Sequence, residues 1–161
     1  MLRFREVSAT DPEAVAMLAE YFAERAAGFP GGPGAYRPVF PSEATFAPPA
    51  GVLLIADLET GDGMVPSVGL GGVRLLPAGD ASVRYEVKHL WVRPERRGGG
   101  RGRAVLAELI ERAREFGATE VVLDTNASLE AAGRLYRSMG FRSIPAYNDN
   151  PNATDWYLLE L

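Results

Sequence analysis

The stretch HLWVRPERRGGGRGRAVLAELIERAREFG, residues 89–117, decides the fold because it joins a strand to a helix through a loop of glycine and arginine. The preceding residues read as a strand over 82–92, and Pro94 interrupts it. After the glycines, apolar residues recur at helical spacing, at Val105, Leu106, Leu109 and Ile110. The stretch therefore predicts a strand, a glycine-rich turn and a helix from about Gly100 to Phe116, ended by Gly117.

The glycine-rich loop predicts an anion site. Glycine lets backbone N–H groups come close to a ligand, and a helix N-terminus attracts negative charge. Residues 93–103 also hold five arginines and a single acid, Glu95, and arginine makes charge-assisted contacts to phosphate oxygens. Gly102-Arg103-Ala104 stands where a P-loop would need Gly-Lys-Ser/Thr. The residues alone predict a phosphate or pyrophosphate binder, with a plain structural turn or an RNA-binding segment as alternatives.

Composition narrows the classes of protein. A length of 161 residues fits one domain. The chain has no cysteine, which excludes disulfides, thiolate metal sites and cysteine nucleophiles, and its single histidine excludes a His-rich zinc site. Its net charge is −4 despite the basic loop, which argues against a nucleic-acid partner. No apolar run reaches the roughly 18 residues of a membrane span, and the first residues do not resemble a signal peptide, so we expect a cytoplasmic protein with no membrane partner.

The N-terminal third predicts a strand, a helix and a long irregular loop. Residues 2–8 alternate as a strand, and Thr10 with Glu13 predicts a capping box that opens a helix to about Ala27. Residues 28–50 hold four glycines, six prolines and several aromatic side chains. Such a loop is either a binding loop or a packed connector whose aromatic rings seal the edge of the core.

The remaining chain predicts an antiparallel meander followed by alternating helices and strands. The meander strands are 51–58, 65–76 and 82–92, with turns at 59–63 and 77–81. A strand at 120–124, a helix at 128–139 and strands at 141–144 and 154–161 follow the helix after the glycines. The expected fold class is α+β: a mixed, mostly antiparallel central sheet flanked by helices in a single domain.

Strand alternation over 82–92 places Glu86 and Leu90 on one face and His89 on the other. A carboxylate within a central strand is costly to desolvate unless it is paired, and burial raises its pKa. Glu86 is therefore a candidate general base, or it forms a salt bridge to Lys88 or Arg84. A lone histidine in such a strand is more often a core residue, so we assign His89 no chemistry.

Arg97-Gly98-Gly99-Gly100-Arg101-Gly102 resembles the Arg/Gln-x-x-Gly-x-Gly/Ala acyl-CoA signature of the GNAT superfamily of N-acyltransferases. Leu135-Tyr136-x-x-Met139-Gly140-Phe141 is similar to the second recurring motif of that family. The resemblance is close over roughly residues 82–142 and follows the order of elements along the whole chain. It implies a GNAT-like fold in one domain over 1–161, with 28–50 as a loop on the substrate side.

The resemblance also implies which residues bind acetyl-CoA. The pyrophosphate would lie on the backbone of the signature loop, the pantetheine arm would pair with the strand before it, and an asparagine would contact that arm. Carried over to this sequence, the cofactor-binding residues are Leu90, Val92, Arg97, Gly98, Gly99, Gly100, Arg101, Gly102, Arg103 and Asn126. The N–H of Leu90 corresponds to the group that points at the thioester carbonyl. A helix-entry cap is the alternative role for Asn126.

The implied catalytic residues are Glu86, as the base that accepts the amine proton, and Tyr136, which would protonate the CoA thiolate. Packing in an apolar stripe is the alternative for Tyr136. Tyr147 or Asp149 could face the acceptor amine, or their segment is a plain loop. The reaction implied is acetyl transfer from acetyl-CoA to a primary amine, without metal or covalent intermediate. The acceptor would be an unidentified small molecule, and the net negative charge of the chain favours a cationic one. A non-catalytic acyl-CoA-binding module is the alternative, and a homodimer is compatible with either.

Overall fold

The protein is described by a computed structural model that covers residues 1–61, 63, 66–79 and 81–161. These residues form three α-helices and seven strands. The helices are α1 (Pro12–Ala27), α2 (Arg101–Glu115) and α3 (Glu130–Ser138). The strands are β1 (Leu2–Val7), β2 (Gly51–Leu58), β3 (Ser67–Leu76), β4 (Arg84–Val92), β5 (Glu120–Thr125), β6 (Arg142–Ile144) and β7 (Asp155–Glu160).

The strands make one sheet in the order β1-β2-β3-β4-β5-β7-β6. All neighbours are antiparallel except β4 and β5, which run parallel. The predicted fold class and the predicted meander are confirmed. The predicted start of the second meander strand at Val65 lies outside the described residues, as do Asp62 and Asp80 in the predicted turns.

Helices cover both faces of the sheet. Apolar residues of α2 and Tyr136 of α3 bury one face, and apolar residues of α1 bury the other. Gly71 in β3 permits the close approach of α2, because a Cβ there would lie 2.8 Å from Leu109 Cδ1. Residues 28–50 are irregular as predicted, apart from a short 3-10 helix at Pro33–Ala35, and their Tyr36 and Phe46 extend the α1-side core. Within the described residues, none of the helices is long and apolar enough to cross a membrane.

The N-terminal cap of α1 is Asp11, and the prediction of Thr10 was wrong. The Asp11 carboxylate accepts hydrogen bonds from the N–H groups of Glu13 at 2.9 Å and Ala14 at 3.1 Å. Thr10 instead shares a 2.8 Å hydrogen bond with the Ser8 hydroxyl. Both residue types cap helices well, and the backbone enters the helix one residue later than the spacing to Glu13 indicated.

A β-bulge divides β4 into two halves. Trp91 lies opposite Leu70 and Lys88 lies opposite Gly72, so His89 and the following Leu90 together face one residue of β3. His89 takes up the extra residue with a left-handed φ of 57°. A bulge interrupts the alternation of side chains between the two faces of a sheet.

The bulge contradicts the predicted faces of β4. Before it, Tyr85 and Val87 belong to the α2-side core, so Glu86 between them points toward α1. After it, Leu90 and Val92 pack on the α2 side. Glu86 therefore does not share a face with Leu90, and the His89 ring lies on the α1 side among Tyr21, Phe22 and Phe46.

Strands β4 and β5 separate soon after they begin. Their parallel register runs from Arg84 opposite Glu120 to Glu86 opposite Val122. β4 then continues to Val92 without β5 beside it, while β5 stays paired with β7 over its whole length. The edge of β4 after the bulge is thus open to a ligand, and a cleft begins there.

Candidate functional site

The cleft has a volume of about 1080 Å³. Its floor is the second half of β4 and the end of β5. Its walls come from the C-terminal half of α1, residues 36–46, the start of the signature loop, α3, and residues 148–153 between β6 and β7. The site therefore collects segments from the whole length of the chain, and it includes Leu90, Val92, Arg97, Gly98, Gly102 and Tyr136 from the predicted set.

The signature loop presents backbone N–H groups at one end of the cleft. Gly98, Gly99 and Gly100 have left-handed φ values of 88°, 58° and 74°, which glycine adopts without strain. Gly100 is the N-cap of α2 and gives it no side-chain cap. Among the described residues, the N–H groups of five loop positions have no acceptor: Gly98, Gly99, Gly100, Gly102 and Arg103. Such a cradle at a helix N-terminus can hold a pyrophosphate.

Two arginines of the loop brace the loop itself. Arg97 Nε donates to the Val92 carbonyl at 3.0 Å, and its Nη2 lies 2.5 Å from the Glu24 carboxylate, which also accepts from Trp91 Nε1 at 2.7 Å. Arg101 Nη1 donates to the carbonyls of Arg96 at 3.1 Å and Gly98 at 3.2 Å. These contacts hold the backbone N–H groups in place.

Glu86 is fully buried and paired on both oxygens. One oxygen accepts from Arg74 Nε at 2.7 Å and lies 2.6 Å from its Nη2. The other accepts from the Tyr147 hydroxyl at 2.9 Å and lies 3.4 Å from Lys88 Nζ. The burial and the Glu86 carboxylate together raise the pKa of Tyr147. Glu86 thus lies behind its partners and does not line the cleft.

Of the two salt bridges that the sequence left open for Glu86, the structure forms the one to Lys88 and adds one to Arg74. Arg84 pairs instead with Glu120, at 2.7 Å. Arg74 lies directly opposite Glu86 in the β3–β4 register, and sequence spacing alone does not give that register.

Asp124 at the end of β5 is a cleft residue that sequence reasoning missed. Its carboxylate accepts from Lys88 Nζ at 2.9 Å, from Asn148 Nδ2 at 2.8 Å and from Asn150 Nδ2 at 3.0 Å. Burial alone would raise the pKa of Asp124, but the Lys88 ammonium and the two amides outweigh burial and lower it below its usual value. The sequence signal that could have identified Asp124 is the position of a charged residue at the end of a buried strand.

The segment between β6 and β7 contributes residues other than those predicted from it. Tyr147 points into the protein, onto Glu86, and Asp149 is exposed. Asn148 and Asn150 are the ones that line the cleft. Asn148 also accepts from Trp156 Nε1 at 2.9 Å. The segment is therefore a built part of the cleft wall, fixed to β4, β5 and β7.

The Tyr136 side chain packs near two other aromatic rings and also lines the cleft. Its ring lies 6.1 Å from that of Phe141 and 5.9 Å from that of Tyr157. Burial raises the pKa of Tyr136 to about 12, and the Arg25 charge acts in the opposite direction. The hydroxyl is thus protonated at neutral pH and able to donate a hydrogen bond to an anion in the cleft.

Two further residues have clear local roles. Burial, with the charges of Lys88 and Arg74, lowers the pKa of His89 to about 3, so its ring is neutral at physiological pH. Asn126 lies outside the cleft lining. Its side chain accepts from the Ser128 N–H at 3.0 Å and donates to the Asn152 carbonyl at 3.2 Å, which fixes the turn before α3. In the described part of the chain, no three His, Asp or Glu side chains come together as metal ligands.

The family is established by comparison with known proteins. The model of the Acetyltransferase (GNAT) family matches residues 16–141. An uncharacterised N-acetyltransferase of Schizosaccharomyces pombe is 38% identical over 106 residues, which are 66% of this chain and 61% of that protein. Human N-acetyltransferase 8B is 42% identical over 77 residues, 45% of this chain and 34% of its own length. The chain belongs to the GNAT acetyltransferase family, and it matches about three fifths of the yeast relative and a third of the human one.

Solved structures of low sequence identity share the fold. A predicted acyl-CoA N-acyltransferase from Klebsiella pneumoniae superimposes with a TM-score of 0.74 at 21% identity, covering 100% of this chain and 98% of that one. A GNAT acetyltransferase from Elizabethkingia anophelis with acetyl-CoA bound gives 0.60 at 17% identity, covering 99% and 98%. The NatC complex bound to Gag peptide and CoA gives 0.65 at 20% identity, also covering 99% and 98%.

Proposed function

We propose that this chain is an N-acetyltransferase that moves the acetyl group of acetyl-CoA to a primary amine by direct attack in a ternary complex. The observation that carries the proposal is a set of five N–H groups in the signature loop that have no acceptor among the described residues, two of them on Gly98 and Gly102, which line a cleft between separated strands. Family membership and the acetyl-CoA-bound neighbour support it. We extend the proposal to residues 1–161 as one acetyltransferase domain.

The signature loop would hold the pyrophosphate of acetyl-CoA. Backbone N–H groups from Gly98 to Arg103 would contact the phosphate oxygens, while Arg97 and Arg101 keep the loop in its left-handed shape. The pantetheine arm would run along the open edge of β4 like an added strand, beside Leu90 and Val92. Asn126 would act from outside this path by fixing the turn that leads into α3.

Two groups would stabilise charge during the transfer. The amine nitrogen attacks the thioester carbon, and the carbonyl oxygen becomes an oxyanion next to the N–H of Leu90, a donor of a kind worth about 3 kcal/mol. The carbon–sulfur bond then breaks, and the sulfur leaves as a thiolate. Tyr136, whose pKa of about 12 keeps its hydroxyl protonated, would give that thiolate a proton.

The amine proton has one sequence-derived acceptor, Glu86. Because Glu86 lies behind Arg74 and Tyr147, a proton would reach it through water or through the Tyr147 hydroxyl. The competing role is structural: Glu86 would serve as the buried counter-ion of Arg74. The stability and the kinetics of the Glu86→Gln variant separate these two roles.

The loop 28–50 would cover the acceptor end of the cleft. Its residues from Tyr36 to Phe46 contribute to the lining, opposite the wall formed by α3. The segment 148–153 lies beside it. The acceptor would therefore enter between two irregular segments, while acetyl-CoA enters from the signature loop.

The test is release of CoA from acetyl-CoA across a panel of amines, namely small amines, polyamines, amino acids and peptide N-termini. We expect release with one class. Acetyl-CoA at about 100 times its dissociation constant should also raise the free energy of unfolding by about 2.7 kcal/mol. Binding without release for any amine would favour an acyl-CoA-binding module, and the absence of binding would refute the proposed donor.

A further inference from the structure

We propose that the acceptor carries a carboxylate and a bulky apolar group beside its amine, as a large apolar amino acid does, and that Arg37 binds the carboxylate. The inference rests on the proposed function for the reaction, and it concerns the recognition of the second substrate. Four features of the cleft lead to it: the pairing of its acids, the free guanidinium groups, the fixation of Arg37 and an aromatic wall.

The acidic side chains of the cleft are already neutralised. Three of them line it in the described part of the chain, and each has a basic partner: Glu24 with Arg97 at 2.5 Å, Asp124 with Lys88 at 2.9 Å, and Glu130 with Arg134 at 3.5 Å. A polyamine would bring a second ammonium group to a cleft without a free carboxylate. The net negative charge of the chain does not extend into the site.

Two basic side chains of the cleft have no carboxylate partner. Arg74 is paired with Glu86, but Arg25 and Arg37 form no ion pair with any described residue. The Arg25 guanidinium lies over the ring of Tyr36, 5.8 Å from its centre. A cleft with paired acids and unpaired guanidinium groups favours a ligand that supplies an anion.

Arg37 is held in place by Asn152, in the segment between β6 and β7. Its N–H donates to Asn152 Oδ1 at 2.9 Å, and Asn152 Nδ2 donates to its carbonyl at 2.7 Å. Its guanidinium is anchored through one nitrogen, Nη1, on the carbonyls of Gly34 at 2.5 Å and Tyr36 at 3.3 Å. The other nitrogens remain available as a fork for a carboxylate. Fixing the residue in advance reduces the entropy lost on binding.

Aromatic rings form an apolar wall in the cleft that Arg37 lines. The centre of the Phe22 ring lies 4.7 Å from that of Phe40 and 5.5 Å from that of His89. The centres of the Phe46 and His89 rings are 5.7 Å apart. Phe40 is 52% exposed although it belongs to this group. His89 adds a neutral ring, since burial lowers its pKa to about 3. An apolar group of the acceptor would cover Phe40 and remove it from water.

The test compares two probes that differ by one carboxylate, phenylalanine and 2-phenylethylamine. Each is titrated calorimetrically into the protein saturated with CoA, so that binding is measured without turnover. We expect phenylalanine to bind about 10- to 100-fold more tightly, the effect of one charge-assisted contact. Equal binding, or tighter binding of spermidine, would overturn the inference.

Variants of Arg37 locate the effect. Arg37→Gln should reduce the ratio of the two affinities to near one, and Arg37→Lys should retain part of it. Arg114→Gln, which removes an exposed arginine paired with Glu111 on α2, is the matched control and should keep the ratio. If Arg37→Gln instead weakens acetyl-CoA binding and leaves the ratio intact, Arg37 contacts the donor and the inference is wrong.

Turnover is scored separately. Release of CoA with phenylalanine in the wild type, reduced in Arg37→Gln through a higher KM for the amino acid, would support both the reaction and its acceptor class. No release with phenylalanine or with any other amine of the panel, despite a preserved affinity ratio, would refute the proposed transfer and still support the carboxylate site.

Discussion

Replacing Glu86 with glutamine removes a negative charge from the interior of the sheet while keeping the size and shape of the side chain. In the wild type, the carboxylate is fully buried and receives hydrogen bonds from Arg74 and Tyr147. Glutamine keeps only one acceptor oxygen and presents an NH₂ group to the other donor. The variant therefore leaves the Arg74 guanidinium without its counter-ion and places an NH₂ group near the Lys88 ammonium.

The expected loss of stability follows from the exposure of the partner. Removing one member of a buried ion pair costs about 3–5 kcal/mol. The Arg74 side chain is 32% exposed, so water can solvate it in part, and the lower end, about 3 kcal/mol, applies. For a domain of this size, one kcal/mol shifts Tm by about 2–4 °C. Glu86→Gln should therefore lower Tm by about 6–12 °C.

Reversible unfolding followed by circular dichroism measures this change. Glu160→Gln is the matched control, since Glu160 is exposed in its pair with Arg142 on the outer strand, and exposed pairs contribute about 1 kcal/mol or less. The double variant Arg74→Gln/Glu86→Gln completes a cycle and should lose less stability than the sum of the single variants.

A Tm for Glu86→Gln within 2 °C of the wild type would refute the structural role of the pair. Kinetics at a temperature where the variant is folded then separate the two roles. If Glu86 accepts the proton, kcat should fall about 10²–10⁴-fold with acetyl-CoA affinity unchanged. If Glu86 is only a counter-ion, the pH profile of kcat should keep its shape and the loss should appear in stability.

Three further changes test other parts of the molecule. Gly100→Ala places a side chain at a φ of 74°, at a cost of about 1–2 kcal/mol, and should raise the Kd for acetyl-CoA about 10-fold in a binding titration. The control Gly79→Ala, at a turn position open to solvent, should leave that Kd unchanged. Equal affinities of the two variants would count against the role of the signature loop in binding. Tyr136→Phe should lower kcat about 10²-fold with the KM for acetyl-CoA within two-fold, and an unchanged kcat would exclude the hydroxyl as the acid. The folded-state pKa of His89, about 3, lies below the ordinary histidine value of 6.5. Between these two values the unfolded chain binds one proton more than the folded protein, so the free energy of unfolding should fall by up to about 1.4 kcal/mol per pH unit on acidification. His89→Asn, which tolerates the left-handed φ, should flatten that slope in urea unfolding at pH 7, 6 and 5; an unaltered slope would show that another group titrates.

The strong local signals of the sequence were sufficient for the architecture. The run of glycines before an apolar helical repeat predicted the loop and α2, and strand-like apolar runs separated by turns predicted the meander. The bulge could not be predicted, since one extra residue in a strand leaves no mark in composition. Histidine adopts a left-handed φ more often than most residues do, but too seldom for one histidine in a strand to indicate a bulge. The faces assigned to Glu86 and Leu90 were wrong for this reason.

The site residues that belong to a sequence motif could be predicted, whereas those brought together by the pairing register of the strands could not. Gly98, Gly102 and Tyr136, which the two motifs supplied, line the cleft. Arg74 and Asp124 meet their partners only because β3, β4 and β5 pair in one particular register, which depends on packing along the whole sheet. Asp11 and Thr10 are both residue types that cap helices, with aspartate the better of the two, and the spacing to Glu13 pointed to the wrong one.

The two hydrogen bonds between Arg37 and Asn152 join segments that are 115 residues apart in the chain. Anyone who redesigns this protein by grafting loops from a relative should treat 28–50 and 145–152 as one unit of exchange. A graft of either segment alone would leave an amide side chain facing a backbone that no longer matches it, and the acceptor wall would lose its shape. Over evolutionary time the same coupling predicts that substitutions in one segment are accepted together with changes in the other.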